Sequence, residues 1–524
     1  MVHALKRVKK CNLLCQNRRQ FFRLDFKPFV FARVSIGIAS SPTSRYFSTL
    51  PRRSLQVLLP FKWSHRVITI ISNELNKGTT RDIRTDTLME PRLRVAVIGA
   101  GAAGLVALRH LNTVSSNDLS QISAVALEQA PHVGGTWFYT KKTGNDDFGL
   151  PIHSSMYKNL RTNLPKECMA FPDFQFPEEL PSFVGHEDVQ KYLEDYATHF
   201  DLWKDIKFHT KVDYIRPVSD EKSKFQTRWE VTTCDVHKLG QKQKEVFDAV
   251  LVCNGHYAIP MIPDIPGKET FVGQVVHSHN YREPNVYKDR TVVILGANAS
   301  GQDIALELAS VAKEVYLSHN KQPFPNMPEN LHQRPGIAKL DPEVIHFSDG
   351  SSVRADALMY CTGYHYDYSF VAPEVGLRVD DNRVMPLYKH LIHTGYPNFG
   401  IIGVCKRIVP FPMFDVQAQY FRAVLTGVVT LPNEESMNED TERDYRQRRA
   451  QGLPHRHAHD MGPRQFEYNH QLADSACGRR VPVLTELMYN KTHNMRKQDL
   501  VGYKKVNFCV SGAGDEIVIT CTPR

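Results

Sequence analysis

Apolar positions along the chain fall into short unbroken runs, and the spacing of the runs repeats. Residues 93–98 (LRVAVI) and 123–127 (SAVAL) are too short for independent helices and too continuous for half-exposed strands, so they read as strands buried on both faces. Between them, 105–111 is an Ala- and Leu-rich helix. The same order returns at 291–295, 302–308 and 314–317. Two strand–helix–strand units predict an α/β protein with parallel sheets. Val189, Tyr192, Leu193 and Tyr196 recur at helical spacing within 186–200, with Glu187 and Asp188 in the first turn. Residues 229–233 and 246–252 read as strands closing the first sheet, and 341–353 as a hairpin around Asp349 and Gly350. Further strands are expected at 356–359 and 399–404, a helix returning to the first domain at 417–425, and a solvated helix face at 434–449. The mixed run 157–169 reads as a loop, and the Pro-rich 259–266 as a domain crossing.

Each repeated unit turns on glycines. The first carries Gly99, Ala100, Gly101, Ala102, Ala103 and Gly104, the GxGxxG spacing, between strand and helix. A tight turn, a close backbone approach to a pyrophosphate and close helix–strand packing each require one of those glycines. The free N–H groups of the helix start then face the phosphates. Glu128 ends the next strand, about where a carboxylate accepts from a ribose hydroxyl. Gly134, Gly135, Thr136 and Trp137 follow as a loop laid along the same nucleotide. A glycine-rich turn alone is a weak signal; strand, helix and acid together favour a dinucleotide site. The second unit reads Gly296, Asn298, Ala299, Ser300, Gly301 and Gln302, with Asn298 in place of the middle glycine. Asn tolerates positive φ, so the turn is expected to survive, with the side chain crowding the pyrophosphate's path. The next strand ends in Ser318 and Lys321 with no acid, which suits a 2′-phosphate and favours NADPH over NADH. Two such loops in one chain imply two cofactors, most simply FAD and NADPH.

Composition narrows the classes. Ten cysteines in 524 residues include no CxxC pair, which argues against a disulfide reductase built on the same two-nucleotide plan. Residues 1–70 hold fourteen Lys and Arg against Asp25 alone, so the rest of the chain is net acidic and no nucleic-acid partner is expected. The 1–90 segment is Arg-rich and dotted with Ser and Thr, like a mitochondrial targeting segment with processing near 45–48. It reads equally as non-native sequence ahead of Met89, disordered in both cases. No apolar stretch is long enough to span a membrane. His455, His457 and His459 alternate without a nearby carboxylate or Cys partner, and no metal site is expected there.

Phe271, Gly273, His277 and Tyr281 fit FxGxxxHxxxY, a motif that resembles the identifying sequence of flavin-containing monooxygenases. GAGAAG, GGTW, TNLPKE (162–167), CNGHY (253–257) and CTGY (361–364) occur in that family's order, and the resemblance spans about 92–470. It implies two Rossmann-like domains, with an NADPH domain (259–345) inserted in an FAD domain (91–258 and 346–432) and a helical tail (433–524). It implies an NADPH- and oxygen-dependent enzyme of the N,N-dimethylaniline monooxygenase type, similar to the shorter insect members. Tyr281 resembles amine- and sulfide-oxygenating members rather than ketone-oxygenating ones. The reaction would run through a flavin C4a-hydroperoxide on a small amine or sulfide. Thr162 and Asn163, by resemblance to the family's loop, are the candidates beside the flavin, Asn163 as the catalytic amide. An amide donates and accepts without titrating, so it would not discharge a peroxide by protonation. Xenobiotic turnover in the cytoplasm or at the periphery of the endoplasmic reticulum is the implied setting, or the mitochondrion if the extension is a targeting segment. The competing reading is a flavoprotein that consumes NADPH without coupled product, or one that serves as a binding partner; Asn298 favours it.

Overall fold

The computed structural model describes residues 93–113, 122–218, 226–511 and 518–523. The basic extension, read as a targeting or a non-native segment, lies outside the described residues. Leu93–Ile98 is the third strand from one edge of a seven-stranded sheet, flanked in parallel by Ala249–Val252 and Ile122–Leu127. Its alternation explains the unbroken apolar run. Val95 and Val97 pack with Leu105, Leu108 and Leu111 on one side, whereas Ala96 and Ile98 pack with Trp229 and Phe247 on the other. Each fully buried Val contributes about 1.5–3 kcal/mol. The helix Ala102–Asn112 covers the first face and is itself covered by Pro410–Leu425, joined through His110 Nε2 and Asp415 Oδ1 at 2.7 Å.

The second unit repeats the plan with a five-stranded parallel sheet. Its order is Leu331–Arg334, Glu314–Ser318, Thr291–Leu295, Ala357–Tyr360, Gln274–His277. Val292 and Ile294 pack under the helix Ala299–Leu308, and Val293 packs under a three-stranded antiparallel sheet built from Ile337–Leu340, Val344–Phe347 and Ser352–Arg354.

Several boundaries differ from expectation. Residues 246–252 are two strands, not one. Lys242–Phe247 pairs with Arg228–Asp235 in an antiparallel sheet that covers the first sheet instead of extending it, and Ala249–Val252 enters the main sheet. Asp248 makes the corner, accepting from Arg94 N at 2.7 Å and donating its own N–H to Arg94 O at 2.8 Å. The inserted domain runs past 345, because Ala357–Tyr360 lies inside its sheet. Both helices after the glycine loops start earlier than the apolar pattern showed, and Pro410–Leu425 begins with prolines in its first turn, where a missing N–H costs nothing. Within 157–169, Pro165 leads into one helical turn, Lys166–Met169. The tail is helical through Val483–Gln498, then ends in a hairpin, Val506–Ser511 against Val518–Pro523, whose Phe508 N donates to Ser182 Oγ at 2.8 Å. Among the described residues, no helix is long and apolar enough to cross a membrane.

Candidate active site

Both glycine loops open onto one cleft of about 2050 Å³. That exceeds the usual 300–1,000 Å³ of a small-ligand pocket and leaves room for two dinucleotides. At the first loop, Gly99 has φ +103°, and a Cβ there would stand 2.8 Å from Cys253 O. A Cβ on Gly104 would stand 1.9 Å from Gly99 O, so helix and strand touch backbone to backbone. Gly101 has ordinary φ and faces only Gly135, whose Cα lies 3.6 Å from the position of an added Cβ. Gly134 N donates to Ala100 O at 3.1 Å, which lays the 134–137 turn against the loop.

Gly99, Gly101, Ala102, Ala103, Glu128, Gly135, Thr136 and Trp137 line the cleft, whereas Ala100 and Gly104 stand behind it as support. Glu128 is buried; its Oε2 accepts from Ala100 N at 2.7 Å and its Oε1 from Ala130 N at 2.8 Å. Burial raises its carboxyl above the usual 4.5, and those backbone donors pull the other way.

The second loop superposes the same chemistry on Gly296 (φ +106°), where a Cβ would meet Cys361 O at 2.5 Å, and on Gly301, where it would meet Gly296 O at 1.8 Å. Asn298 does not take positive φ, as its residue type had suggested. It caps the helix at φ −87°, ψ −164°, close to the −74°, −172° of Gly101. Its side chain is drawn aside to Lys321, whose Nζ donates to Asn298 Oδ1 and Ala297 O, both at 2.7 Å. Gly296, Asn298, Ala299, Ser300 and Gln302 line the cleft; Gly301 stands behind them.

Ser318 does not serve as expected. It is fully buried and its Oγ donates to Pro335 O at 2.7 Å. The positive edge comes from elsewhere: Arg496 of the last helix donates from Nε and Nη2 to Gln302 Oε1 at 3.0 and 2.6 Å, with Lys497 and Arg407 on the same cleft. Burial lowers Lys321 from its usual 10.5, as do Arg496 and Arg407. None of these cations belongs to a motif; the only sequence signal was a basic last turn in Val483–Gln498.

Thr162 and Asn163 reach the cleft in the loop ahead of Pro165. Thr162 Oγ1 and Thr136 Oγ1 are buried without partners, and the Asn163 amide has no hydrogen-bond partner among the described residues. Lys504 fixes this loop, donating from Nζ to Arg161 O at 3.0 Å and to Asp303 Oδ2 at 2.6 Å. Tyr281 is away from the cleft, donating to Glu307 Oε2 at 2.8 Å inside the second unit.

His256 donates from Nδ1 to Gly403 O at 2.8 Å, and burial with Lys406 pushes it down to about 3. His153 falls to about 4 through burial and His279. Both are neutral at physiological pH. Carboxylates do lie beside two of the three alternating histidines, contrary to the reading of the sequence. His457 Nδ1 is 3.1 Å from Asp460 Oδ2, His455 Nε2 is 3.3 Å from Asp380 Oδ2, and His459 Nε2 accepts from Val384 N at 2.8 Å. No group of three metal-ligating residues converges among the described residues.

Open glycine cradles, helix starts without a side-chain cap bond, an acid at one and cations at the other, and orphaned polar atoms between them define a protein built to bind two dinucleotides on one cleft. The flavin-binding monooxygenase-like family model matches residues 92–324 and 327–490. The flavin-containing monooxygenase FMO GS-OX4 of Arabidopsis thaliana is 39% identical over 407 residues, 73% of this chain and 84% of that protein. The structure of S-allyl-L-cysteine S-oxygenase from Allium sativum matches with TM-score 0.72 and 36% identity, covering 79% of this chain and 95% of that one. Tmm from Pelagibacter sp. strain HTCC7211 matches with TM-score 0.70 and 27% identity, covering 81% and 95%. The chain belongs to the flavin-containing monooxygenase family, whose cofactors are FAD and NADPH.

Proposed function

We propose that the chain is an NADPH- and oxygen-dependent monooxygenase that transfers one oxygen atom to a soft nucleophile, a sulfide sulfur or an amine nitrogen. The observation that carries this reading is the unpartnered amide of Asn163 on the cleft shared by both nucleotide loops. The sulfide is placed first, because a relative 36% identical is named for S-oxygenation. In the balanced reaction, sulfide, dioxygen, NADPH and a proton give sulfoxide, NADP⁺ and water. One oxygen atom forms the S–O bond, and the other leaves as water with the hydride's two electrons.

Bound FAD supplies hydride acceptance and oxygen activation. The chain's own residues bind and shield. Gly99, Gly101, Ala102, Ala103 and Glu128 would hold the first nucleotide, while Gln302, Lys321 and Arg496 would hold the second. Asn163 offers a donor and acceptor that does not titrate. The neutral His153 and His256 present no charge on the wall of the cleft. The reading of a non-turnover flavoprotein rests on Asn298 alone, whose backbone resembles that of Gly101 and whose side chain is held by Lys321, so it takes second place.

The test is NADPH consumption with and without a dialkyl sulfide or tertiary amine, with product quantified, in the wild type and Asn163→Ala. The wild type should couple consumption to product. Asn163→Ala should still oxidise NADPH but release hydrogen peroxide, since losing one hydrogen bond in a dry site costs about 1–3 kcal/mol, or about one to two decades in lifetime. Normal coupling in Asn163→Ala would return that residue to an ordinary loop position.

A further inference from the structure

The loop after the strand Phe399–Ile401 leaves the first sheet beside 253–257, at the C-terminal ends of parallel strands, where open α/β sheets bind ligands. Ile402 N donates to Val252 O at 2.9 Å and His256 Nδ1 to Gly403 O at 2.8 Å, so the loop is tied to the strand ends from both sides. Lys406 lines the cleft from this loop, half-buried. Its Nζ lies 4.3 Å from the ring centre of Tyr366, which in turn stands 5.3 Å from His256. Among the described residues Lys406 makes no ion pair and no side-chain hydrogen bond.

Two neighbours make that isolation informative. Asp460 lines the same cleft but is taken by His457 Nδ1 at 3.1 Å, with Arg407 Nη1 at 3.9 Å, rather than by Lys406. Arg407 has φ +56°, a left-handed turn that sends consecutive cations in different directions. Arg407 acts on Lys321 and His493 at the second nucleotide, whereas Lys406 acts on His256 and His459. The second nucleotide therefore has its own cations, and Lys406 is left over on an aromatic wall near the first sheet. Asp460, bridged to Lys406 through the backbone, favours its charged form but makes no direct ion pair with it, and a half-buried ammonium short of a direct partner attracts an anionic ligand group more strongly than an exposed one would.

We propose that Lys406 is a specificity-determining residue that takes a carboxylate of the substrate, so that the preferred soft nucleophile is a thioether bearing an acid group. This rests on the monooxygenase reading above. The ammonium fixes one end of the molecule against the Tyr366 wall and leaves its sulfur free to face the flavin side of the cleft.

The experiment compares methylthiopropionate with its methyl ester, which has the same sulfur and nearly the same shape but no charge. Sulfoxide formation is measured on flavin-loaded enzyme for wild type, Lys406→Met and Lys406→Arg. The wild type should favour the acid by about tenfold or more in kcat/KM, equivalent to about 1.4 kcal/mol, and the preference should shrink as salt rises. Lys406→Met should lower the acid-to-ester ratio by about tenfold, through KM, and Lys406→Arg should keep most of it. A ratio near one in the wild type, an unchanged ratio in Lys406→Met, or a rise in KM for NADPH instead would overturn the inference. If Lys406→Met does not retain flavin, the wild-type ratio and its salt dependence decide. Oxygenation of the ester without preference for the acid sinks this inference alone. Oxygenation of neither compound sinks the monooxygenase reading beneath it as well.

Discussion

The two nucleotide units share a backbone and differ in charge. Each has a glycine at φ near +105° that turns the chain away from its strand, and a second glycine pressed onto the first one's carbonyl. Each sheet is covered by a helix on one face and a three-stranded antiparallel sheet on the other. The helix caps, Gly101 and Asn298, have nearly the same φ and ψ despite their different side chains. What separates the units is the group beyond the second strand. In the first it is the buried acid Glu128, and in the second the amine of Lys321 backed by Arg496. The backbone decides that a dinucleotide fits, and the charge decides which one.

The largest effect tests the shared backbone. Gly104→Ala and Gly301→Ala each force a methyl within 2 Å of a backbone oxygen that cannot move without breaking the turn. Each should destabilise the protein by more than about 3 kcal/mol in a urea titration. If one tolerates alanine, the two turns are not equivalent.

Gly101→Val separates fold from ligand. Its added Cβ meets only Gly135 Cα at 3.6 Å, so the chain should fold, but the pyrophosphate's path is filled. Flavin affinity should fall by roughly 100-fold, about 2.7 kcal/mol, as read by flavin retained after gel filtration. Full flavin in that variant would move the cofactor elsewhere.

Much of this comparison was legible in the sequence, because a buried parallel strand ending in glycine is a local signal. What was not legible depends on direction or distance. Ser318 looked like a ligand because it ends the right strand, but its side chain faces Pro335 instead of the cleft. Arg496 lies 194 residues from the Gln302 it bonds, so no local pattern joins them. Residues 246–252 looked like one strand because Asp248, the corner between two sheets, interrupts an otherwise apolar run by only one position. The inserted unit was cut short at 345 because its interior strand Ala357–Tyr360 arrives after the hairpin, and chain order does not show sheet order.

A smaller effect sharpens the charge difference. Lys321→Met should reduce the preference for NADPH over NADH by about tenfold, or about 1.4 kcal/mol, in steady-state kinetics. The pH limits of the two sites should also be opposite. Glu128 accepts from a ribose most strongly when ionised, and its carboxyl is raised above 4.5, so flavin affinity should weaken on the acid side before an ordinary Glu would protonate. Lys321 attracts phosphate only when protonated, and it is lowered from 10.5, so NADPH affinity should weaken on the alkaline side before an ordinary Lys would deprotonate. Titrations of each cofactor across pH check both limits; matching limits would erase the distinction.

The measurement that tests the central claim most directly follows the oxygen atoms. Flavin-loaded enzyme is given NADPH, a dialkyl sulfide and dioxygen enriched in the heavy isotope, and label is counted in sulfoxide and in water. The account predicts one labelled atom in each sulfoxide, the other in water, and one NADPH consumed per sulfoxide. Unlabelled sulfoxide, or NADPH consumed with hydrogen peroxide as the sole product at saturating sulfide, would contradict it.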